Sequence, residues 1–447
     1  MIENSPVIFF VSLGCAKNLV DTEVIAGNAV VADFLITANQ DEADITIINT
    51  CSFINDAREE AEQEIKDSLQ WKKDASSRYV VIAGCFPQQN IKYLQEKYPD
   101  IDLFLGLDEI ADSAKKLHRM LKGNSELQGE FSEAKYLYND MTPRLQLTPQ
   151  SYAYIKIAEG CNHKCSFCSI PSIRGHFRSR SLESVVAEAR NLLKNGVKEL
   201  ILIAQDTTYY GKDLNPPTSL SALIKELDKL QGDFWIRVLY THPVHFTDEI
   251  IETFAKSTHL LPYVDIPLQH ISDTILKAMK RGCSKIKTKE LLEKIRKKIA
   301  NATIRTSLIV GYPGETDEQF MSLVEFVKEA EFDRMGVFCY SPEPGTPAAE
   351  RQSEMPSKET IEKRRDILMK LQQEISLKKN EKMLGKTISV IVEGSTEDGI
   401  MQGRSAMDAP DVDNLVFFEL KNPDLQDYII DVKITDCDNY NLYGKQI

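Results

Sequence analysis

Three cysteines stand close together near the middle of the chain, where Cys161, Cys165 and Cys168 form a C-x3-C-x2-C pattern. Three thiols within eight residues cannot all pair as disulfides, but they can share one metal centre. They are one ligand short of a closed tetrahedral zinc site and of the four-cysteine shell usual for a cubane iron–sulfur cluster. A cluster held by three cysteines would leave one iron open for chemistry. Zinc and inert core cysteines are the alternatives.

A second set of cysteines follows three predicted strands in the N-terminal region. The apolar runs 7–12, 45–49 and 79–83 have the pattern of buried parallel strands and alternate with helical stretches at 18–31, 55–70 and 88–97. Cys15, Cys51 and Cys85 come directly after these runs. Ligands collect at the carboxyl ends of such strands, where helix N-termini favour thiolates. We therefore favour a second three-cysteine cluster, with three small core residues as the alternative.

The chain of 447 residues is long enough for about three domains. Residues 1–122 predict an open α/β domain, and the polar segment 123–150 with two prolines predicts a linker. Residues 151–385 predict a partial TIM-like (β/α)6 barrel, and residues 386–447 a small antiparallel β-barrel. The predicted fold class is thus α/β with a β-barrel at the C-terminal end.

Alternating strands and helices define the central region. We expect strands at 152–158, 199–204, 235–240, 263–266, 303–310 and 334–340, and helices at 182–194, 220–230, 248–255, 289–300 and 318–330. A charged stretch at 357–384 predicts a solvated helix that leads into the last domain. The 161–168 loop follows the first barrel strand, so it lies at the face where barrel sites form.

Several other residues are expected at that face. They are Gln205 and Asp206 after the second strand, Gln269 and His270 after the fourth, and residues 311–315 after the fifth. Three arginines follow the cysteine loop, namely Arg174, Arg178 and Arg180, and could balance a cluster's charge, hold a carboxylate, or form ordinary surface salt bridges. His163 is interpreted as a loop residue rather than a ligand.

Composition limits where in the cell the chain is expected to act and which partners it is expected to bind. The N-terminus lacks the basic segment of a signal peptide, and no apolar run reaches the roughly 18–20 residues of a membrane span, so we expect a cytoplasmic chain without a membrane partner. Nine cysteines then indicate reduced thiols and metal ligands. The net charge of -13 argues against nonspecific nucleic-acid binding by the whole chain.

The last region has short β patterns at 387–392, 399–404, 416–418 and 428–432. From Lys386 to Ile447, five basic and twelve acidic residues give a net charge of -7. Small barrels often bind oligonucleotides, but an acidic one repels phosphates and attracts a basic protein. Nucleic acid is therefore an unlikely substrate, with acidic turns kept for solubility as the alternative.

The C-x3-C-x2-C motif, with the aromatic Phe167 just before its last cysteine, resembles that of the radical S-adenosylmethionine (radical SAM) superfamily. The resemblance implies a [4Fe–4S] cluster whose open iron binds the methionyl part of SAM. It also implies that Phe167 contacts SAM and that strand-end residues bind the rest of it, for which we select Gln205, Arg305 and Gly311. Turn residues or satisfied polar groups are the alternative for each.

The six cysteines together, with a terminal barrel that looks like a TRAM domain, resemble the methylthiotransferases over essentially the whole chain. Within that family, the segments EGCNHKCSFCSIPSIRG, LPYVDIPLQH, YSPEPGTPA and GRSAMDAPDVDN resemble the RimO branch, which modifies an aspartate of ribosomal small-subunit protein twelve. The resemblance implies two [4Fe–4S] clusters, SAM, a sulfur donor, and an electron donor such as ferredoxin or flavodoxin.

The implied reaction joins the two cysteine sets. A 5′-deoxyadenosyl radical, made at Cys161, Cys165 and Cys168, would remove hydrogen from the aspartate β-carbon. The cluster at Cys15, Cys51 and Cys85 would carry the sulfur that a separate SAM methylates. Since the cofactors carry the hard chemistry, no catalytic dyad or triad is expected. The alternatives are a tRNA methylthiotransferase that modifies adenosine, disfavoured by the acidic last domain, and a non-enzymatic iron–sulfur carrier.

Overall fold

The computed structural model describes residues 5–124, 131–421 and 429–447. Part of the predicted linker, at 125–130, and the first residue of the strand predicted at 428–432 lie outside the described residues. Among the described residues, no helix combines the length and the apolar character needed to cross a membrane.

The N-terminal unit is a five-stranded parallel sheet in the order β2-β1-β3-β4-β5, flanked by helices. Every residue of the central strand β3 is buried, as expected for a strand covered on both faces. Sequence patterns missed the two outer strands, which are only three residues long. The elements are β1 Val7–Ser12, α1 Ala16–Val31, β2 Leu35–Thr37, β3 Ile45–Thr50, α2 Asn55–Lys73, β4 Tyr79–Gly84, α3 Cys85–Lys97, β5 Leu103–Leu105 and α4 Ser113–Leu121.

The central unit is an open partial barrel of six parallel strands. Two three-stranded sheets, β10-β9-β6 and β11-β12-β13, meet through a parallel bridge between Ile236 and Leu260. Its elements begin with β6 Tyr152–Lys156, β7 Ala158–Glu159, α5 Ile170–Arg174, β8 Arg178–Ser179, α6 Leu182–Lys194, β9 Glu199–Ile203, α7 Leu220–Leu227 and β10 Trp235–Val238. They continue with α8 Asp248–Lys256, β11 Tyr263–Asp265, α9 Asp273–Ala278, α10 Lys285–Lys298, β12 Thr303–Val310, α11 Asp317–Ala330, β13 Arg334–Cys339 and α12 Lys358–Glu381.

Helix α12 is more than the solvated connector that its charge suggested. Ile361, Leu368 and Ile375, spaced seven residues apart, are buried in the barrel core. The helix packs along β13 and so covers the last βα unit. Seven-residue spacing places side chains on one face of a helix, which explains how a highly charged sequence buries one apolar stripe.

The C-terminal unit is a closed barrel with the strand order β14-β15-β16-β18-β17. Its pairs are antiparallel except for β16 and β18, which run parallel. Alternate residues such as Val390, Val392 and Val432 fill its core. The strands are β14 Thr387–Ser395, β15 Met401–Ser405, β16 Val416–Glu419, β17 Ile429–Cys437 and β18 Leu442–Gln446. The predicted fold class, α/β with a small C-terminal barrel, is confirmed.

Strand β15 and the loop between β15 and β16 dock the small barrel onto the first residues of the central strands. Asp408 accepts a 2.6 Å bond from Arg334, the first residue of β13. Arg404 binds Glu199, the first residue of β9, at 2.6 Å. These residues mark the end of the central barrel opposite the carboxyl ends of its strands.

The described part of the predicted linker, residues 131–150, runs between the first two units. Arg144 binds Glu23 of α1 at 2.6 Å and Glu188 of α6 at 2.5 Å. All three side chains are at most 9% exposed, so these ion pairs hold the N-terminal sheet against the central barrel.

Candidate metal centres

The N-terminal cysteines lie at one edge of the parallel sheet. Cys15 follows β1, Cys51 follows β3 and Cys85 begins α3 directly after β4. These three strands are neighbours in the sheet, with Ser12 opposite Asn49 and Thr50 opposite Gly84. The three strand ends therefore bring the cysteines together, as the strand-end pattern predicted.

Two glycines allow these loops to approach closely. Gly14 has a φ of +88°, and a Cβ there would lie 2.6 Å from the Cβ of Cys51. Gly84 has a φ of +94°, and a Cβ there would lie 2.1 Å from Oδ1 of Asn49. Both distances are far below van der Waals contact, and both backbone conformations favour glycine. The repeated Gly-Cys dipeptide is a sequence signal for this packing.

The charges around this trio differ from thiol to thiol. Burial raises the pKa of Cys15, but Lys17, Arg174 and nearby backbone amides outweigh it, so the pKa lies below its ordinary value. Burial raises the pKa of Cys51, and it raises that of Cys85 to about 12. Neighbouring cysteines add to both increases. Neighbouring thiolates repel one another, so the three thiols are expected to ionise together only when a metal cation binds them. Metal binding and thiolate formation are coupled in this way.

The second trio occupies the loop that leaves β7 at the top of the central barrel. Burial raises the pKa of Cys161 to about 11 and that of Cys168 to about 12, and neighbouring cysteines of the trio contribute to both. Nη1 of Arg281 lies 3.7 Å from Sγ of Cys165 and supplies positive charge. The loop is fixed by the amide of Cys161, which donates to the carbonyl of Gly175.

Arg174 links the two trios across the boundary between the N-terminal sheet and the central barrel. It ends α5, the helix that follows Cys168, and is only 2% exposed. Its Nη2 lies 3.3 Å from Sγ of Cys85 and donates to Oδ1 of Asn18 at 2.5 Å. It also binds carboxylates of both units, at 3.0 Å to Asp21 and 2.9 Å to Glu159. The sequence offered a cluster-balancing or carboxylate-binding role for Arg174, and this geometry combines them.

Lys156 completes a buried four-charge group with Arg174. Its Nζ binds Asp21 at 2.5 Å and Glu159 at 2.6 Å. Burial raises the pKa of Glu159, but Arg174 and Lys156 lower it well below its ordinary value. Two cations and two carboxylates therefore form a neutral cluster between the units. Sequence reasoning missed Asn18 and Asp21, although both follow Cys15 at helical spacing.

A second contact crosses the same boundary. Lys17, two residues after Cys15, lies 3.1 Å above the ring of Tyr240, just after β10. Together with Arg174, it shows that the N-terminal trio faces the carboxyl end of the central barrel. This is the same face that carries Cys161, Cys165 and Cys168.

Of the residues predicted to contact SAM, Phe167 lies within the cysteine loop, and Gln205 contacts Glu159 just before that loop. Nε2 of Gln205 donates to Glu159 at 2.6 Å, while its Oε1 is buried without a hydrogen-bond partner among the described residues. Phe167 packs against a buried cluster that includes Tyr312 and Tyr340. A buried oxygen without a hydrogen bond destabilises the folded protein. Oε1 of Gln205 therefore indicates that a bound molecule donates a hydrogen bond at this point.

Arg305 and Gly311 are placed differently from one another. Gly311 follows the end of β12, and its amide donates to the carboxylate of Glu315. Arg305 lies in the first half of β12, where it binds Asp265 at 3.1 Å and Asp413 of the small barrel at 3.3 Å. The structure does not bring Arg305 to the cysteine loop. Its role with SAM stays a prediction, and its two carboxylate partners favour a structural role.

The two later arginines have local partners. Arg178 donates to the carbonyls of Arg174 and His176. Arg180 is buried and pairs with Glu188. Among the described residues, neither has a cysteine as a hydrogen-bond partner, so Arg174 is the arginine of this segment that reaches a trio.

Asp206, another strand-end residue, lies within a group of histidines. Burial raises the pKa of Asp206, but hydrogen bonds from His163, His245 and Thr208 lower it below its ordinary value. Burial, followed by Arg281 and His163, lowers the pKa of His242 to about 2. His163 therefore has defined partners, which its interpretation as a simple loop residue did not include.

The donor chemistry of both trios fits iron–sulfur clusters. Each offers three thiolates, which are the protein ligands that such clusters use, and each has a cation beside a sulfur, namely Arg174 or Arg281. Three ligands leave the fourth position to another molecule. The unpaired Oε1 of Gln205 marks a nearby place for a donor group of that molecule.

Three protein-family models match the chain. The radical SAM superfamily matches residues 155–327 and the TRAM domain matches residues 384–447. The N-terminal unit matches the uncharacterized protein family UPF0004 over residues 7–106. The matched segments contain all six cysteines of the two trios.

Curated relatives match over nearly the full length. A protein from Trichlorobacter lovleyi is 43% identical over 98% of both chains, and one from Desulforamulus reducens is 42% identical over 98% of this chain and 99% of its own. A protein from Pelotomaculum thermopropionicum is 45% identical over 92% of this chain and 93% of its own. All three are named ribosomal protein uS12 methylthiotransferase RimO.

Solved structures support the fold. The radical SAM methyltransferase TsrM from Kitasatospora setae aligns with a TM-score of 0.59 at 14% identity, over 88% of this chain and 79% of its own. The cobalamin-dependent radical enzyme OxsB aligns with a TM-score of 0.53 at 14% identity, over 81% of this chain and 56% of its own. At such low identity, these likenesses concern the fold alone.

Proposed function

This chain belongs to the RimO family of ribosomal protein uS12 methylthiotransferases, and we propose that it adds a methylthio group to the β-carbon of an aspartate in uS12, the small-subunit protein twelve. It is a radical SAM transferase of sulfur-containing groups. The observation that carries the proposal within the structure is the buried bridge from α5, after Cys168, to Cys85 through Arg174.

The two trios divide the work. We assign Cys15, Cys51 and Cys85 to one [4Fe–4S] cluster and Cys161, Cys165 and Cys168 to the other. When bound, the clusters and SAM supply a carbon-centred radical, an electron and the transferable sulfur, none of which protein side chains can provide. The chain's own residues hold these groups near one another and control charge.

Charge control falls to Lys17, Arg174 and Arg281. Lys17 and Arg174 lower the pKa of Cys15, and Arg281 approaches Cys165. Cations beside thiolates stabilise a negatively charged cluster, and the effect is strong because Arg174 is buried. The buried carboxylates Asp21 and Glu159 hold its guanidinium in place.

SAM binding is assigned to the carboxyl end of the central barrel. Oε1 of Gln205 would accept a hydrogen bond from the amino group of SAM's methionine, which would satisfy this buried oxygen. Phe167 would pack beside SAM, and Gly311 would bring the backbone near it. Arg305 is engaged by Asp265 and Asp413 and would act indirectly, by holding the small barrel.

The acidic small barrel is proposed to receive basic uS12. Part of its charge is internal, because Asp408 binds Arg334 and Asp413 binds Arg305. The exposed acidic residues that remain include Glu397 and Asp398. They favour a basic protein over a phosphate backbone. A cytoplasmic setting, a ferredoxin or flavodoxin electron donor and a separate sulfur donor complete the proposal.

The test is a substrate choice made by the reconstituted enzyme. Anaerobic protein with SAM, sulfide and a reductant is offered 30S subunits, isolated uS12 or tRNA, and products are identified by mass spectrometry. We expect a methylthio mass increase on one uS12 aspartate and release of 5′-deoxyadenosine. Modification of tRNA alone would support the tRNA methylthiotransferase instead. Clusters without any SAM cleavage would indicate an iron–sulfur carrier.

A further inference from the structure

Outside the two cysteine trios, one group of side chains has the composition of a metal site. His163, Asp206, His242 and His245 each offer one ligand atom, and these atoms lie within 4.8 Å of one another. Imidazole nitrogens and a carboxylate oxygen are donors that proteins use for zinc and similar divalent ions. The proposed function uses none of the three histidines.

Two of the histidines aim at the same oxygen. Nε2 of His163 and Nδ1 of His245 each lie 2.7 Å from Oδ2 of Asp206. Zinc bonds of about 2.0–2.1 Å with tetrahedral angles place ligand atoms about 3.4 Å apart. For Asp206, His163 and His245, an outward shift of under about 1 Å would thus admit an ion in place of the two bridging protons. Those protons would move to the other nitrogen of each ring. His242 would also have to turn out of its stack on His163 to direct its nitrogen at the same ion.

The third histidine supplies an independent observation. His242 is 5% exposed, and its ring stacks on His163 with a centroid separation of 4.0 Å. Its Nε2 is buried and has no hydrogen-bond partner among the described residues. Leaving such a buried atom unpaired is unfavourable. An ion bound there would satisfy it, and the long 3.3 Å contact from the amide of Val244 to Nδ1 would be given up.

The carboxylate is oriented as metal ligands are. While Oδ2 of Asp206 faces the two histidines, Oδ1 accepts from Oγ1 of Thr208 at 2.5 Å and from the amide of Tyr209 at 3.2 Å. Oδ1 of Asp206 is therefore held by the protein, and Oδ2 is directed towards the histidines. Outer hydrogen bonds of this kind position ligands and tune their basicity.

An ion can reach this group of three histidines and one aspartate from solvent. A cavity of about 200 Å³ is lined by His163, Asp206 and His245 together with Asn162, Phe177 and Tyr209. It lies beside the cysteine loop and is open to solvent on one side, so a hydrated ion could reach the ligands.

We propose that His163, Asp206, His242 and His245 bind one divalent transition-metal ion of the zinc class, separate from both iron–sulfur clusters. Four protein ligands close a tetrahedral site, which marks it as structural rather than catalytic. The ion would join three segments: the loop between Cys161 and Cys165, the end of β9, and the segment after β10. It would hold the cysteine loop in shape before its own cluster is assembled.

The first test removes the thiolates and titrates the remaining site. The full-length chain with all six cysteines of the trios replaced by alanine is stripped of metal and titrated with Co²⁺, whose visible absorption reports tetrahedral coordination. We expect about one Co²⁺ per chain, displaced by Zn²⁺. His245→Ala and Asp206→Asn should weaken binding at least about tenfold. His176→Ala is the matched control, because this histidine is 84% exposed and lies after the same loop.

A second measurement covers the case in which the alanine-substituted chain does not fold, as judged by circular dichroism. Reconstituted holoenzyme with a full complement of iron is equilibrated with zinc, desalted and analysed by mass spectrometry for both metals. We expect about one zinc per chain in wild type and His176→Ala, and none in His245→Ala, at unchanged iron content. No stoichiometric zinc in wild type, or equal zinc in His245→Ala and His176→Ala, would overturn the site.

Discussion

Replacing Arg174 with methionine should lower the redox potential of the N-terminal cluster. Methionine keeps most of the side-chain volume but removes the cation 3.3 Å from Sγ of Cys85. The buried group around it would change from neutral to a charge of about -1, since Lys156 alone would face Asp21 and Glu159. Both the cluster and the boundary between units should respond.

The magnitude follows from Coulomb's law. With a guanidinium about 6 Å from the cluster centre and an effective dielectric constant of about 20, the interaction is about 3 kcal/mol per unit charge. A one-electron potential changes by about 59 mV for each 1.4 kcal/mol, so the potential should fall by roughly 100–150 mV. The uncompensated buried carboxylate should also lower the free energy of unfolding by about 3–5 kcal/mol.

The assay is a redox titration followed by electron paramagnetic resonance. It is run in a background in which Cys161, Cys165 and Cys168 are alanine, so that only the N-terminal cluster is observed. Arg180→Met is the matched control, because Arg180 is buried and ion-paired with Glu188 but has no cysteine partner in the part of the chain that the structure describes. Arg174→Met with Asp21→Asn restores charge balance and should recover stability together with part of the potential, because the Asp21 carboxylate also acts on Cys85.

A potential in Arg174→Met within about 20 mV of wild type would refute this reasoning, because the expected electrostatic term is several times larger. An equal shift in Arg180→Met would also refute it, since the effect would then come from general loosening of the boundary.

Three further predictions concern other parts of the molecule. Gly84→Ala should lower the iron content of the N-terminal site, because its Cβ would lie 2.1 Å from Asn49; iron analysis in the single-cluster background measures this. Gln205→Leu should raise the Kd for SAM about tenfold by removing the buried acceptor, as measured by equilibrium dialysis. Glu199→Gln should lower the Tm most near neutral pH. Burial raises the pKa of Glu199, but Arg237 and Arg404 outweigh it and hold the pKa below its ordinary 4.5. The stability from this carboxylate is therefore present above about pH 4.5 and lost as pH falls further, so the difference from wild type should shrink below that pH.

Each of these has a control and a contradicting outcome. Gly399→Ala also has a positive φ but meets open space, so equal iron loss in both variants would reject the packing explanation. Gln231→Leu changes an exposed glutamine, and a Kd for SAM that rises equally there would reject a specific acceptor. A difference in Tm between wild type and Glu199→Gln that stays constant from pH 7 to 4 would reject the ion-pair account.

Sequence patterns predicted the strands and helices that have a clear local periodicity. The strand at 303–310 and the helix at 182–194 were predicted with the bounds they have, because continuous β-branched runs and an amphipathic repeat are strong signals. Strands of three residues, such as β2 and β5, carry no periodicity and were missed. Strand β18 was also missed, because Gly444 and Lys445 interrupt its apolar pattern.

The cysteines could be predicted as two groups because strand ends in a parallel sheet share one edge. Their partners could not. Arg174 meets Asp21 across 153 positions of sequence, and Arg305 meets Asp413 across 108. The residues around an arginine in the sequence do not show whether it will bind a ligand or a distant carboxylate, so Arg305 was selected as a SAM contact. For the same reason, Glu159 was not predicted as a partner of Arg174 and Lys156.

The histidine group illustrates the same limit. His163 lies in the cysteine loop, but its partner Asp206, and His245, which contacts the same carboxylate oxygen, follow other strands. Of the four residues in this group, only Asp206 was predicted from the sequence to lie at the end of a strand. A histidine four residues after each of two strands, β7 and β10, would have been the usable signal, because such positions converge on one barrel face.

The most direct test of the central claim is the iron and sulfide content of anaerobically reconstituted protein with each trio replaced by alanine. Two separate clusters predict about eight irons per wild-type chain and about four in each trio variant, with matching sulfide. About four irons in wild type, or loss of all iron when either trio is removed, would contradict the claim that this chain holds two independent iron–sulfur centres.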